Sequence, residues 1–283
     1  MIQRVLIVGA GAMGTGIAQV CAQSGCRVAQ VDTAQRFLDA SKAQMDKQLG
    51  RLLQKGKITK ARKDEIMGNI AYSTNLADGA DADLMIEAVT EDLAIKKGVF
   101  QAADKLLNPR AVLATNTSTL SIAAIGGATQ RPDQCIGLHF FIPAPVMKLL
   151  EIIPSIATSQ ETLAAMKAFS AQIGKTCIVA NDYPGFIVNH ILNPMINQAM
   201  FLVMEGNKPE DIDAGMKLGA NMPMGPLELA DFMGLDVFLA VMNALYDGFK
   251  DPKYRPCPLV VKLVEAGRLG RKTGRGFYEY GQS

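Results

Sequence analysis

The chain has 283 residues, 49% of them apolar and 20% charged, with 29 Lys and Arg against 27 Asp and Glu and a formal net charge of +2. That length carries one large domain or two modest ones, because single cores stop growing near ~250–300 residues. The apolar content excludes a disordered chain. The balanced charge and the absence of Trp argue against a nucleic-acid partner.

The first strand is expected at once, over Arg4–Val8, with no basic leader or presequence ahead of it. Further short apolar runs follow at Arg27–Val31, Leu84–Ala88, Val112–Thr115, Cys135–His139, Leu149–Ile153 and Thr176–Val179. Amphipathic stretches separate several of them, at Met13–Ser24, Ala34–Lys55, Leu93–Leu107 and Glu161–Gln172. Strands alternating with helices predict an α/β domain with a mostly parallel sheet. After Asn181–Gly185 the strand signals stop, and helical patterns remain over 186–204, Pro209–Leu218, Pro226–Tyr246 and Pro258–Ala266. The expected organisation is an α/β domain over 1–183, with a helical excursion near 34–67, and an all-helical domain over 184–283. No apolar run reaches the ~18 residues of a membrane span, so no membrane partner is expected. The five cysteines form no C-x-x-C pair and read as reduced thiols, which suits the cytoplasm. With two histidines in the chain, no metal site is expected.

Val5–Val8 runs into Gly9, Ala10, Gly11, Ala12, Met13 and Gly14, then into a helix. Gly9 suits the tight turn, Gly11 a close approach to a pyrophosphate, and Gly14 close packing of helix on strand. The free N–H groups at the helix start favour an anion. Asp32 ends the second strand, where a carboxylate bonds ribose hydroxyls and repels a 2′-phosphate. This Rossmann-type pattern points to NAD rather than NADP. The bland alternative is a Gly-rich turn beside an unrelated Asp.

His139 closes a strand, and Glu151 lies inside LLEII, where a carboxylate is costly unless paired. Neighbouring strands would bring them together as an acid–base pair. The competing reading is a core His satisfied by a structural Glu. Asn116 and Ser118 follow a strand and face either the cofactor crevice or serve a helix cap. Asn189 sits in an apolar helix and binds either a substrate oxygen or a neighbouring helix. His190 reads as structural. Arg51 and Lys55 share a helix face in a basic stretch, which is either a solvated surface or a phosphate contact.

Together, GAGAMGTGIA, IEAVTED, NTSTLSI, HFFIPAPVMKLLEI, DYPGFIVNHIL and GRKTGRGFYEY resemble the L-3-hydroxyacyl-CoA dehydrogenase family across nearly the whole chain. The length resembles its bacterial 3-hydroxybutyryl-CoA members. The resemblance implies NAD-dependent interconversion of (S)-3-hydroxyacyl-CoA and 3-oxoacyl-CoA, probed most simply with acetoacetyl-CoA and 3-hydroxybutyryl-CoA. It makes His139 the acid/base, Glu151 its orienting partner, and Ser118 and Asn189 contacts of the substrate. It adds Glu91, Lys96 and Lys272 to the cofactor contacts and Lys55 to the CoA contacts. It also implies a homodimer through the helical domain. One position departs: Ile142 stands where the family usually has Asn, and Ile supplies no carboxamide beside the nicotinamide. A β-hydroxyacid dehydrogenase of free acids, which relies on a catalytic lysine, and a catalytically impaired NAD-binding relative are the alternatives.

Overall fold

The computed structural model describes residues 1–281. The chain divides into two compact units, Met1–Asp182 and Tyr183–Ser283. In the first unit the order is β1 (Arg4–Val8), α1 (Ala12–Gln23), β2 (Arg27–Val31), α2 (Gln35–Gln54), α3 (Lys60–Gly68), β3 (Ile70–Ser73), β4 (Leu84–Glu87), α4 (Leu93–Leu106), β5 (Val112–Thr115), α5 (Ile122–Gly126), β6 (Cys135–Phe140), β7 (Leu149–Pro154), α6 (Gln160–Gln172) and β8 (Thr176–Val179). The strands form one eight-stranded sheet in the order β3-β2-β1-β4-β5-β6-β7-β8. All neighbours run parallel except β6 and β7. The mostly parallel sheet agrees with the sequence reading.

Alternation along β1 explains why the sheet is covered twice. Val5 and Ile7 join one core with Ile17 of α1, Met45 of α2 and Phe169 of α6. Leu6 and Val8 point the other way, into a core with Phe100 of α4 and Ile125 of α5. Successive strand side chains face opposite sides, so a strand buried on both faces reads as a continuous apolar run.

Two elements escape the sequence reading. IAYS, which forms β3, alternates too briefly to register, and it is pinned by parallel pairing with β2 at the sheet edge. The α5 helix is a short turn capped from outside: Ser121 accepts from the Ala124 N–H, and the Asp182 carboxylate accepts from the N–H groups of Ile122 (2.9 Å) and Ala123 (2.8 Å).

The second unit holds α7 (Val188–Met204), α8 (Pro209–Gly219), α9 (Pro226–Met233), α10 (Leu235–Phe249) and α11 (Pro258–Glu265) around its own core of Met200, Leu227, Phe238, Met242 and Val260. The single helix expected over Pro226–Tyr246 is two helices bent by 101°. Gly234 makes the break: its φ of 97° is a conformation that L side chains rarely adopt. Among the described residues, no single helix is long and apolar enough to cross a membrane.

Candidate active site

The C-terminal edge of β1, β4, β5 and β6 gathers most of the candidate residues of the first unit. The β1–α1 turn begins with Gly9 at φ 115°, where a Cβ would stand 2.5 Å from the Ala88 carbonyl oxygen. A Cβ on Gly14 would overlap the Gly9 carbonyl, whereas Gly11 has nothing within 4 Å. The turn is therefore packed from below and open above. No side chain caps α1, so its first N–H groups stay available to an anion. The Asp32 carboxylate accepts from the N–H groups of Ala10 (2.7 Å) and Thr33 (2.7 Å), and so ties the end of β2 to the glycine turn. A cavity of about 750 Å³ opens here, lined by Gly9, Gly11, Asp32, Phe37, Val89 and Ile95. An open glycine cradle, an uncapped helix and an acid at the second strand end fit a dinucleotide such as NAD. The nearby Arg36 guanidinium lies over the Phe37 ring, 4.8 Å from its centroid.

The antiparallel pairing of β6 with β7 places His139 directly opposite Glu151. His139 Nδ1 lies 2.6 Å from Glu151 Oε2, with the two side chains 5% and 0% exposed. An ionised carboxylate only accepts, so the Nδ1–H donates to Glu151 and Nε2 is turned away from it. Nε2 faces the Ser118 hydroxyl at 3.0 Å. The Phe141 ring packs on the imidazole at 4.6 Å between centroids. Asn116 Oδ1 accepts the Phe140 N–H at 2.9 Å, which joins the end of β5 to the end of β6. Ile142 is 57% exposed on the turn that follows.

Glu91 organises the loop that carries Ser118. Its carboxylate accepts from the N–H of Ser118 (2.9 Å), the hydroxyl of Thr117 (2.5 Å) and the Lys96 ammonium (3.2 Å). Burial pushes the Glu91 pKa up, but Lys96 and these hydrogen bonds outweigh it and leave the carboxyl below its ordinary value. Lys96 is itself buried against Glu87. Sequence reasoning passes over Glu87. The signal was available, because an acid inside the apolar run LMIEA is as anomalous as Glu151 inside LLEII.

Residues 4–183 match the model of the 3-hydroxyacyl-CoA dehydrogenase NAD-binding domain, and residues 185–280 match that of the 3-hydroxyacyl-CoA dehydrogenase C-terminal domain. The chain belongs to the 3-hydroxyacyl-CoA dehydrogenase family. It is 47% identical to the 3-hydroxybutyryl-CoA dehydrogenase of Bradyrhizobium diazoefficiens, over 99% of this chain and 96% of that protein. It is 39% identical to the mitochondrial hydroxyacyl-coenzyme A dehydrogenase of Homo sapiens, over 99% of this chain and 92% of that one. The crystal structure of the (S)-3-hydroxybutyryl-CoA dehydrogenase of Ralstonia eutropha superposes with a TM-score of 0.96 at 47% identity, covering 100% of both chains.

The remaining candidates of this dehydrogenase lie elsewhere in the two units. Arg51 and Lys55 are exposed at the end of α2. Their basic neighbours are largely neutralised by Lys63–Asp46 (2.8 Å), Lys60–Asp64 (2.7 Å) and Arg62–Glu65 (2.6 Å). Among the described residues neither Arg51 nor Lys55 enters an ion pair. In the helical unit, Asn189 is half-buried in the first turn of α7, rather than enclosed as the apolar helix suggests. Lys272 is paired with Asp236 at 2.5 Å. His190 packs on Phe249, and its Nε2 meets the Tyr254 hydroxyl at 2.5 Å. Burial lowers its pKa, and the Lys253 charge adds to that.

Proposed function

We propose that this chain interconverts 3-hydroxybutyryl-CoA and acetoacetyl-CoA with NAD as a short-chain (S)-3-hydroxyacyl-CoA dehydrogenase. The observation that carries this reading is the buried His139–Glu151 pair, with Nε2 turned to Ser118 on the same sheet edge as the glycine turn. The free-acid alternative needs a catalytic lysine and has no use for this pair. The relatives' names and full-length similarity support the CoA-ester substrate.

In this reading the glycine turn Gly9–Gly14 and Asp32 hold the adenosine half of NAD. Glu91, Lys96, Asn116 and Ser118 serve the nicotinamide half, and Lys272 is a further cofactor contact in this reading. Bound NAD supplies the acceptor or donor of hydride. During alcohol oxidation His139 Nε2 takes the hydroxyl proton, while Glu151 holds the ring and stabilises the imidazolium. Ser118 and Asn189 fix the reacting oxygen. Ketone reduction needs the protonated His139, so lower pH favours that direction. The proposal includes a homodimer through the helical unit, supported by the exposed Leu218 (88%), Ile191 (69%) and Phe232 (49%). It includes a cytoplasmic location, supported by five free cysteines.

The direct test is NADH oxidation with acetoacetyl-CoA, repeated with longer 3-oxoacyl-CoA esters. Activity with a free 3-oxo acid and none with the ester overturns the reading. Two further results are expected. Asp32→Ser reduces the NAD-over-NADP preference by about 10–100-fold, the scale of a charge-assisted hydrogen bond; an unchanged ratio of kcat/KM values removes the assignment. Reversing charge in Arg51→Glu/Lys55→Glu raises KM for CoA esters several-fold at low salt, less at high salt, with kcat little changed. A KM that does not move puts the CoA phosphates elsewhere.

A further inference from the structure

We infer that Glu87 is a positioning residue for hydride transfer, setting Ser118 against His139 through two separate hydrogen-bonded routes; this rests on the function proposed above. Glu87 ends β4 with no exposure to solvent. Its Oε1 accepts from the Lys96 ammonium at 2.7 Å and from the Val89 N–H at 2.7 Å. Its Oε2 accepts from the Thr115 hydroxyl at 2.6 Å.

From there the two routes diverge and meet again. Lys96, 1% exposed, bridges Glu87 to Glu91, and Glu91 accepts the Ser118 N–H. Thr115 takes the Thr117 N–H on its hydroxyl oxygen at 3.2 Å, one residue before Ser118. The backbone of Glu87 adds a third tie, since its carbonyl accepts the Asn116 N–H at 2.8 Å. On its other side, Ala88 is the residue against which Gly9 packs. The buried carboxylate thus backs the loop that faces the imidazole, and the residue after it backs the glycine turn.

A purely structural ion pair is the competing account. Buried pairs are a weak source of net stability, however, because desolvation offsets the attraction. Here two of the three side-chain partners of Glu87, Lys96 and Thr115, lead on to the loop that carries Ser118. Ser118 has to hold the reacting oxygen within hydrogen-bond reach of His139 Nε2, and small misplacements there are costly.

The experiment uses the whole chain and three variants, Glu87→Gln, Thr115→Val and Thr115→Ser. Active sites are counted by NADH binding, and kcat is expressed per bound site with acetoacetyl-CoA. The expected result is a fall of about 10–100-fold in kcat per site for Glu87→Gln, a smaller fall for Thr115→Val, and recovery in Thr115→Ser, which keeps the hydroxyl. With NADH deuterated at the transferred position, the isotope effect on kcat equals or exceeds that of the unaltered chain. A loss that vanishes when counted per NADH site, or an isotope effect below that of the unaltered chain, overturns the positioning role. If the unaltered chain does not oxidise NADH with acetoacetyl-CoA, the functional reading itself fails, which is a different result.

Discussion

His139→Gln lowers turnover by about 10²–10⁴-fold, the range of a lost general acid–base, and leaves NADH affinity nearly unchanged. The amide fills much of the imidazole's space and still bonds Ser118 or Glu151, but it cannot take up a proton near neutrality. His139 lies on β6, whereas the glycine turn and Asp32 follow β1 and β2. The substitution therefore removes the proton carrier without touching the glycine cradle. Steady-state NADH oxidation with acetoacetyl-CoA measures the first quantity, and fluorescence titration of NADH the second. Near-normal turnover would exclude His139 as the proton carrier. A matching loss of NADH affinity would mean that the edge of the sheet had collapsed.

Asp231→Ala costs about 2–4 kcal/mol of stability and loosens the C-terminal segment. Asp231, on α9, is 1% exposed. Its carboxylate accepts from the N–H groups of Phe277 and Tyr278 and from the Tyr280 hydroxyl, each at 3.0 Å. Burial and the carboxylate push the Tyr280 phenol up to about 12, so it stays a donor. Alanine leaves these donors without their charged acceptor, and each such bond is worth roughly 1–3 kcal/mol, reduced where water can reach the half-buried tail. Gly270, just ahead of Lys272, packs on the Asp231 backbone. That contact is made by backbone atoms and survives the substitution, so the loosening is confined to residues 277–280, whose N–H and hydroxyl groups bond the carboxylate. Urea unfolding reads the first effect. An unchanged midpoint shows that the segment is held by its aromatic packing alone.

Much of the chemistry was legible in the chain itself. GAGAMG between an apolar strand and a helix has few physical uses, because the close approaches at Gly9 and Gly14 tolerate no side chain. An acid in LLEII announces a partner, because an unpaired buried carboxylate is too costly to keep. Departures from local pattern are visible without coordinates. The βαβ alternation was equally plain, since strands buried on both faces lose their polar period.

Other features have no local signature. β3 exists because β2 offers it an edge, and α5 starts where it does because Asp182, from the far end of the unit, caps it. The break at Gly234 depends on a backbone angle that a helical periodicity does not encode. The residue sequence named His139 and Glu151 as partners, but only the antiparallel register of β6 and β7 set Nδ1 on the carboxylate and turned Nε2 to Ser118. Glu87 was hidden for the same reason. Its anomaly lay in the sequence, but its partners Lys96 and Thr115 come from a following helix and a neighbouring strand. Composition and spacing determine which groups must be paired; long-range strand pairing and helix docking determine with which atoms, because hydrogen bonds are fixed by distance and direction rather than by order along the chain.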